Sequence, residues 1–240
     1  MKAAPEDQAA LLELGRIDTD LVRGAKTLHS LPARQAATDA EAQLQEAREQ
    51  LRLAQEDVDG FQADLKRAES DVDLVNKRIN QDNDRLQATT SAKDAQGLEH
   101  ELQTLQTRKT LLEDVELEVM EKLEAATVTL GQVKARVAEI QGRLDEALAE
   151  IASQSAQWDT NKKALLAERE ALTTGLPEEL VQLYERQRER YGVGVSELRA
   201  GVSSASGVQL TESDVQEIRQ AEADDVVLCP DSNAILVRRQ

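Results

Sequence analysis

Apolar residues recur every seven positions through the first half of the chain: Leu44, Leu51, Val58, Leu65, Val72, Ile79 and Leu86. Ala47, Ala54, Phe61, Ala68 and Val75 fill a companion register. This 3-4 alternation is the seam of a left-handed coiled coil. The seam weakens at Asp82, which takes one of its positions. A second pair of registers follows. Leu102, Leu123, Leu130, Val137, Leu144, Ile151, Trp158, Leu165 and Leu172 share one. Leu98, Leu105, Leu112, Val119, Ala126, Val133, Ile140 and Ala147 share the other. Lys109 and Glu116 interrupt the first of these. Long side-chain stems can cover such gaps, and polar seam positions also fix alignment or leave room for a partner.

Between the two series lies "LQATTSAKDAQGLEHEL", where Ser91 and Asp94 have the spacing of a capping box that opens a helix. The chain therefore turns back near residues 87–92, and so short a turn makes the flanking helices antiparallel neighbours. Facing residue numbers should then add to about 182, so the end of the return helix needs partners near residue 10. An earlier amphipathic segment is available there, with Leu14, Leu21 and Leu28 in one register and Ile17, Gly24 and Leu31 in the other. It breaks at "HSLPAR", because Pro32 lacks a backbone donor and disfavours helix at the residue before it. The predicted elements are helices over about 5–30, 33–88 and 92–173, the last stopped by Thr173-Thr174-Gly175 and Pro177. At about 1.5 Å per residue the return helix is roughly 120 Å long. Either the first helix continues the outgoing arm, or it folds beside the second to make a three-helix base.

After Gly175 the pattern changes. "LPEELVQLYERQRERYG" reads as a short helix over 178–190 with an apolar face of Leu180, Leu183 and Tyr184. "GVQL", "DVVL" and "NAILVR" read as short strands, and "TESDVQEIRQA" as a helix capped by Thr211 and Asp214. The apolar groups open to a core are Val208, Leu210, Val215, Ile218, Val226, Val227, Leu228, Ile235, Leu236 and Val237. A module of about fifty residues is marginal for a core without support. The fold class predicted is mainly α. Residues 1–175 form a long, kinked antiparallel coiled-coil hairpin, and residues 176–240 a short helix plus a small α+β module.

Composition narrows the function. The chain holds 46 acidic and 29 basic residues, a formal net charge of −17, with 2% aromatics. Such a field repels phosphate and disfavours bulk nucleic-acid binding. No apolar run approaches a membrane span, and "MKAAPEDQAALLEL" has no apolar region of the signal-peptide kind, so no membrane association is expected. The single cysteine, Cys229, cannot form an internal disulfide, which fits a reducing, cytoplasmic setting. His29 and His100 are isolated, and the many carboxylates read as solvated helix faces. No catalytic residue is assigned.

The kinked hairpin, its "TSAKDAQGLEHEL" turn and the closing "LYERQRERYGVGVSELRAG…GVQLTESDVQEIRQAEADDVVLCPDSNAILVRR" together resemble the bacterial C4-type zinc-ribbon, coiled-coil-hairpin family. The resemblance implies two C-x-x-C knuckles holding one Zn²⁺. Laid on this chain, they fall on Ser203 and Ser206, and on Cys229 and Ser232. Three of the four thiolates are thus serines. A serine hydroxyl does not ionise near neutral pH and is a poor zinc ligand, so these are degenerate positions, and neither a metal nor another cofactor is expected. The ribbon shape is expected to persist on its apolar core.

The resemblance further implies an adaptor-like cytoplasmic protein without catalytic activity, whose relatives are linked to secretion or flagellar assembly and to contacts with proteins or nucleic acid. A rod with a small head, its two contact surfaces about 100 Å apart, suits a scaffold better than an active site. Protein partners are expected at the hairpin tip, around Thr90, Lys93, Asp94 and Leu98, and at the head. The alternative is an RNA-binding adaptor using Arg186, Arg188, Arg190, Arg199, Arg238 and Arg239, with Tyr184 and Tyr191 stacking on bases. A monomer suffices for either, and a weak homodimer is compatible.

Overall fold

The computed structural model describes residues 1–238, so Arg239 lies outside the described residues. The elements are α1 (Pro5–His29), α2 (Pro32–Ala88), α3 (Ala92–Gly175), α4 (Glu178–Tyr191), β1 (Val195–Arg199), β2 (Val202–Ser203), α5 (Glu212–Gln220), β3 (Val227–Leu228) and β4 (Ile235–Arg238). The fold is a long helical hairpin with a small mixed sheet, as the heptads predict. Pro5 and Pro32 each open a helix, where the missing N–H would have had no intrahelical partner. At the turn the Ser91 hydroxyl accepts from Asp94 N–H at 3.4 Å. Ser91 N–H donates to Thr89 Oγ1 at 3.3 Å, where a full capping box would use the Asp94 carboxylate.

The chain divides into two compact units. In the first, Ala33–Leu148, α2 and α3 pair antiparallel. Ala54, Val58 and Leu130 form a buried knot, with Leu51, Leu123 and Ala126 packed against it. Alanines at the seam, Ala47, Ala54 and Ala68, are all buried and let the backbones approach. Polar rungs cross the seam: Arg48 Nη2 donates to Gln141 Oε1 at 3.2 Å and Arg143 Nη2 to Gln43 Oε1 at 2.9 Å. Asp82, the seam's weak point, is fully buried. It pairs with Arg78 Nε at 3.0 Å and Arg85 Nη1 at 3.2 Å, and Arg78 reaches across to Glu101 at 2.7 Å.

The second unit joins Met1–Pro32 to Ala149–Gln240. Here α1 lies on α3 with Gly24 flat against the Trp158 ring, a pairing that counting out from the turn anticipates. A Cβ on Gly24 would sit 2.0 Å from that ring. Leu11 and Leu14 of α1 share one core with Leu180, Tyr184, Val195 and Ile235. Each such buried side chain contributes about 1.5–3 kcal/mol.

The sheet order is β2-β1-β4-β3, with the central pair β1 and β4 parallel and both outer pairs antiparallel. Two expectations need correction. β1 was not anticipated, because "VSELR" follows a glycine cluster and carries only two aliphatic residues. "GVQL" is not a strand, making only an isolated bridge from Gln209 to Val202. Its first residue, Gly207, has a φ of 67° and turns the chain there. Val208 and Leu228, offered to the core by the sequence, are exposed at 51% and 39%. Residues 1–3 close the sheet region: Ala3 N–H donates to Asp224 O at 2.8 Å, and Val226 N–H to Met1 O at 3.1 Å. Among the described residues no helix is long and apolar enough to cross a membrane.

Candidate functional site

The four positions of the degenerate knuckles separate into two groups. Cys229 opens a tight turn, with Asn233 N–H donating to its carbonyl at 2.9 Å and its own N–H donating to Ala234 O at 2.8 Å. Asn233 takes a left-handed φ of 55° to complete it. The thiol is fully buried, in a core with Leu210, Ile218 and Leu236. Burial pushes its pKa up, but hydrogen bonds from the Ser232 hydroxyl and N–H, the Ser203 hydroxyl and the Asp231 N–H hold it below the ordinary thiol value. Ser203 is buried too, its hydroxyl 2.7 Å from Ser196 Oγ. Ser206 is exposed and accepts from Val208 N–H at 3.3 Å instead.

Thus Ser203, Cys229 and Ser232 converge and Ser206 does not. One thiol and two neutral hydroxyls are not a zinc shell, which needs ionised sulfur or imidazole in a tetrahedron. The residues present do not fit the metal that the zinc-ribbon resemblance implies. Among the described residues no group of three or more His, Cys, Asp and Glu could hold a metal ion.

A buried carboxylate with several partners is one the sequence reading did not single out. Asp18 sits between seam residues of α1, 6% exposed at its side chain, and accepts from Arg169 Nε at 2.8 Å. It also accepts from Tyr184 Oη at 2.7 Å and pairs with Arg188 Nη1 at 3.0 Å. Glu185 completes the network by pairing with Arg169 and, at 2.8 Å, with Arg188. Burial raises the Asp18 carboxyl, but the bonds from Arg169 and Tyr184 outweigh it and leave the pKa low. Burial, then the Asp18 bond, pushes the Tyr184 phenol far up, so it stays neutral. The available signal was slight: an acidic residue next to the seam position Ile17, with arginines at two other places in the chain.

This network sorts the arginines proposed for nucleic acid. Arg188 is held by Asp18 and Glu185. Arg238 donates to the carbonyls of Ile218, Ala221, Glu222, Ala223 and Asp225, closing the end of α5. Arg199 pairs with Glu197 at 2.9 Å. Tyr184 is buried and cannot stack on a base, contrary to expectation. Arg186, Arg190 and Tyr191 remain together on the other side of α4, lining one groove with Leu183 and Leu228. At the hairpin turn, Thr90, Lys93 and Asp94 are exposed and Leu98 is half-buried.

Comparison with known proteins follows the same architecture. Residues 14–192 match the CT398-like coiled coil hairpin domain. An uncharacterized protein of Mycobacterium tuberculosis, Rv2229c, is 37% identical over 246 residues, spanning 99% of this chain and 98% of its own. A solved structure from Mycobacterium smegmatis superposes with a TM-score of 0.82 at 32% identity, covering 99% of this chain and 100% of that one. CT398 from Chlamydia trachomatis shares the fold with a TM-score of 0.61 at 17% identity, over 98% of each chain. HP0958 from Helicobacter pylori does so with a TM-score of 0.51 at 12% identity, again over 98% of each chain. The domain match across most of the chain and the near full-length mycobacterial relative lead to one assignment: the chain belongs to the CT398-like coiled coil hairpin domain family.

Proposed function

We propose that the protein is a non-enzymatic, cytoplasmic scaffold that engages protein partners at the turn between α2 and α3 and at the C-terminal head. The observation that carries this reading is how the polar groups are spent. The buried ones, Asp18, Tyr184, Ser203 and Asp82, are tied to structural neighbours. A catalytic site would keep such groups free in a concave, water-poor pocket. The available ones, Thr90, Lys93 and Asp94, stand exposed at the turn. The same reading makes the head metal-independent, resting on its apolar core and the hydroxyl bridge from Ser203 to Ser196.

The test is affinity capture with the full chain, a tip variant (Thr90→Ala, Lys93→Glu, Asp94→Lys) and a head variant (Arg186→Glu, Arg190→Glu), all checked for unchanged melting. Partners lost from either variant support the scaffold. An identical partner set on all three overturns it.

A second reading, an RNA-binding adaptor, keeps the support of Arg186, Arg190 and Tyr191 in one groove. It requires RNA affinity that falls steeply with salt, as released counterions demand.

A further inference from the structure

α4 has two working faces. Tyr184, Glu185 and Arg188 point to the Asp18 network. Leu183, Arg186, Gln187, Arg190 and Tyr191 follow one another at i, i+3, i+4, i+7 and i+8, the spacing of a single stripe, and they line a groove of about 470 Å³ together with Leu228. The contrast between the faces is electrostatic. Arg188 is neutralised twice over, while Arg186 and Arg190 make no ion pair among the described residues. Arg186 spends its Nε on the Gln182 carbonyl at 3.3 Å. Arg190 lies over the Tyr191 ring, 5.3 Å from its centre. In a chain of net charge −17, two guanidinium groups against one carboxylate, Glu189, leave this concavity locally positive. Beside them Tyr191 and Leu228 are 43% and 39% exposed, giving the groove apolar surface that none of the described residues covers.

We propose that this groove is a docking site for a short acidic segment of a partner protein that also carries an aliphatic side chain. Guanidinium forks match carboxylates bidentately, and arginine and tyrosine are among the residues enriched at energetic centres of interfaces. Leu183 and Leu228 supply a seat for the aliphatic group.

Nucleic acid fits less well. The groove offers one exposed aromatic ring and a leucine seat. Glu189 also lines it, and the acidic chain around it repels a polyanion more than a few carboxylates. The proposal names the ligand chemistry of the head surface in the scaffold reading. Its failure would leave partner capture at the tip intact, so the two can fail separately.

The experiment uses the full chain and fluorescence anisotropy. The probe is a short fluorescein-labelled peptide with Glu and Leu in alternation. A Lys–Leu peptide and an oligouridylate of equal length serve as comparisons. The Glu–Leu peptide should bind the parent, and affinity should fall at least about tenfold in Arg186→Glu with Arg190→Glu. The milder Arg186→Ala with Arg190→Ala should weaken it in the same direction, and Arg136→Glu, at an exposed arginine outside the groove, should change it less than about twofold. Melting curves should match the parent throughout. Absence of binding, equal binding by all variants, or tighter binding of the Lys–Leu peptide or the oligouridylate overturns the proposal. So does concentration-dependent self-association abolished by the Arg186→Glu, Arg190→Glu pair, which would make a second copy the occupant.

Discussion

The Tyr184 hydroxyl donates to Asp18 Oδ2 at 2.7 Å, so a residue of α4 and a residue of α1, far apart in sequence, share one buried bond. Removing the acceptor and removing the donor should differ in cost. Asp18→Ala leaves Arg169 only Glu185 as a partner and the buried Tyr184 hydroxyl without its acceptor, and should destabilise by about 3–5 kcal/mol. Tyr184→Phe leaves Asp18 its arginines and should cost about 1–2 kcal/mol. Urea unfolding of the two variants checks the order.

The same carboxylate gives a pH dependence. Its folded pKa is lowered, so its contribution is present above the unfolded value of about 3.9 and is lost as pH falls through the folded value. Melting temperature measured from pH 6 downward should fall more steeply in the parent than in Asp18→Asn, which cannot titrate. Parallel curves would show that Asp18 carries none of the acid sensitivity.

Gly24 and Gly60 are both helical glycines with opposite surroundings. A Cβ at Gly24 would enter the Trp158 ring, whereas at Gly60 nothing lies within 4 Å. Gly24→Ala should therefore lose about 1–3 kcal/mol through overpacking. Gly60→Ala should gain about 0.5–1 kcal/mol from helix propensity. Trp158 is the one tryptophan, so its emission should shift in the first variant and stay fixed in the second.

Metal removal should leave the head intact. Dialysis against a chelator is expected to change neither the melting temperature nor the content of bound zinc, which should be negligible throughout. A chelator-induced loss of stability would show that Cys229 and its serine neighbours hold a metal after all. Ser203→Ala, by contrast, should cost about 1 kcal/mol by removing the hydroxyl bridge to Ser196.

Asp82 is fully buried at a seam position, while its partners Arg78 and Arg85 are 42% and 59% exposed at their side chains. Asp82→Leu frees those arginines to water and completes the apolar seam. Stability should be unchanged or rise by about 1–4 kcal/mol. A fall of that size would mean the buried charge cluster stabilises the hairpin outright.

The heptads made the three long helices legible to within two residues at each end, because a seam repeated over many turns leaves little freedom of register. The head was legible only in part. β4 was visible because Ile235, Leu236 and Val237 are consecutive and all buried. β1 was hidden because its strand character comes from pairing with β4, a contact made across the intervening α5. Of the proposed arginines, Arg188 and Arg186 looked alike in sequence, two residues apart on one helix. Only the position of Asp18, on another element, separates the locked one from the available one.

Leu11 and Leu14 find their core partners in Leu180, Val195 and Ile235, all of which are synthesised long after α1. At about 5–20 residues per second, the nascent α1 waits roughly ten to forty-five seconds before Ile235 emerges. During that interval its apolar stripe is open to chaperones or to misassembly with a neighbouring chain, whereas Ala33–Leu148 can zip as soon as it is made. Translation that stalls or stops before β4 should therefore yield a product with a sound hairpin and a sticky first helix, a natural substrate for quality-control proteolysis.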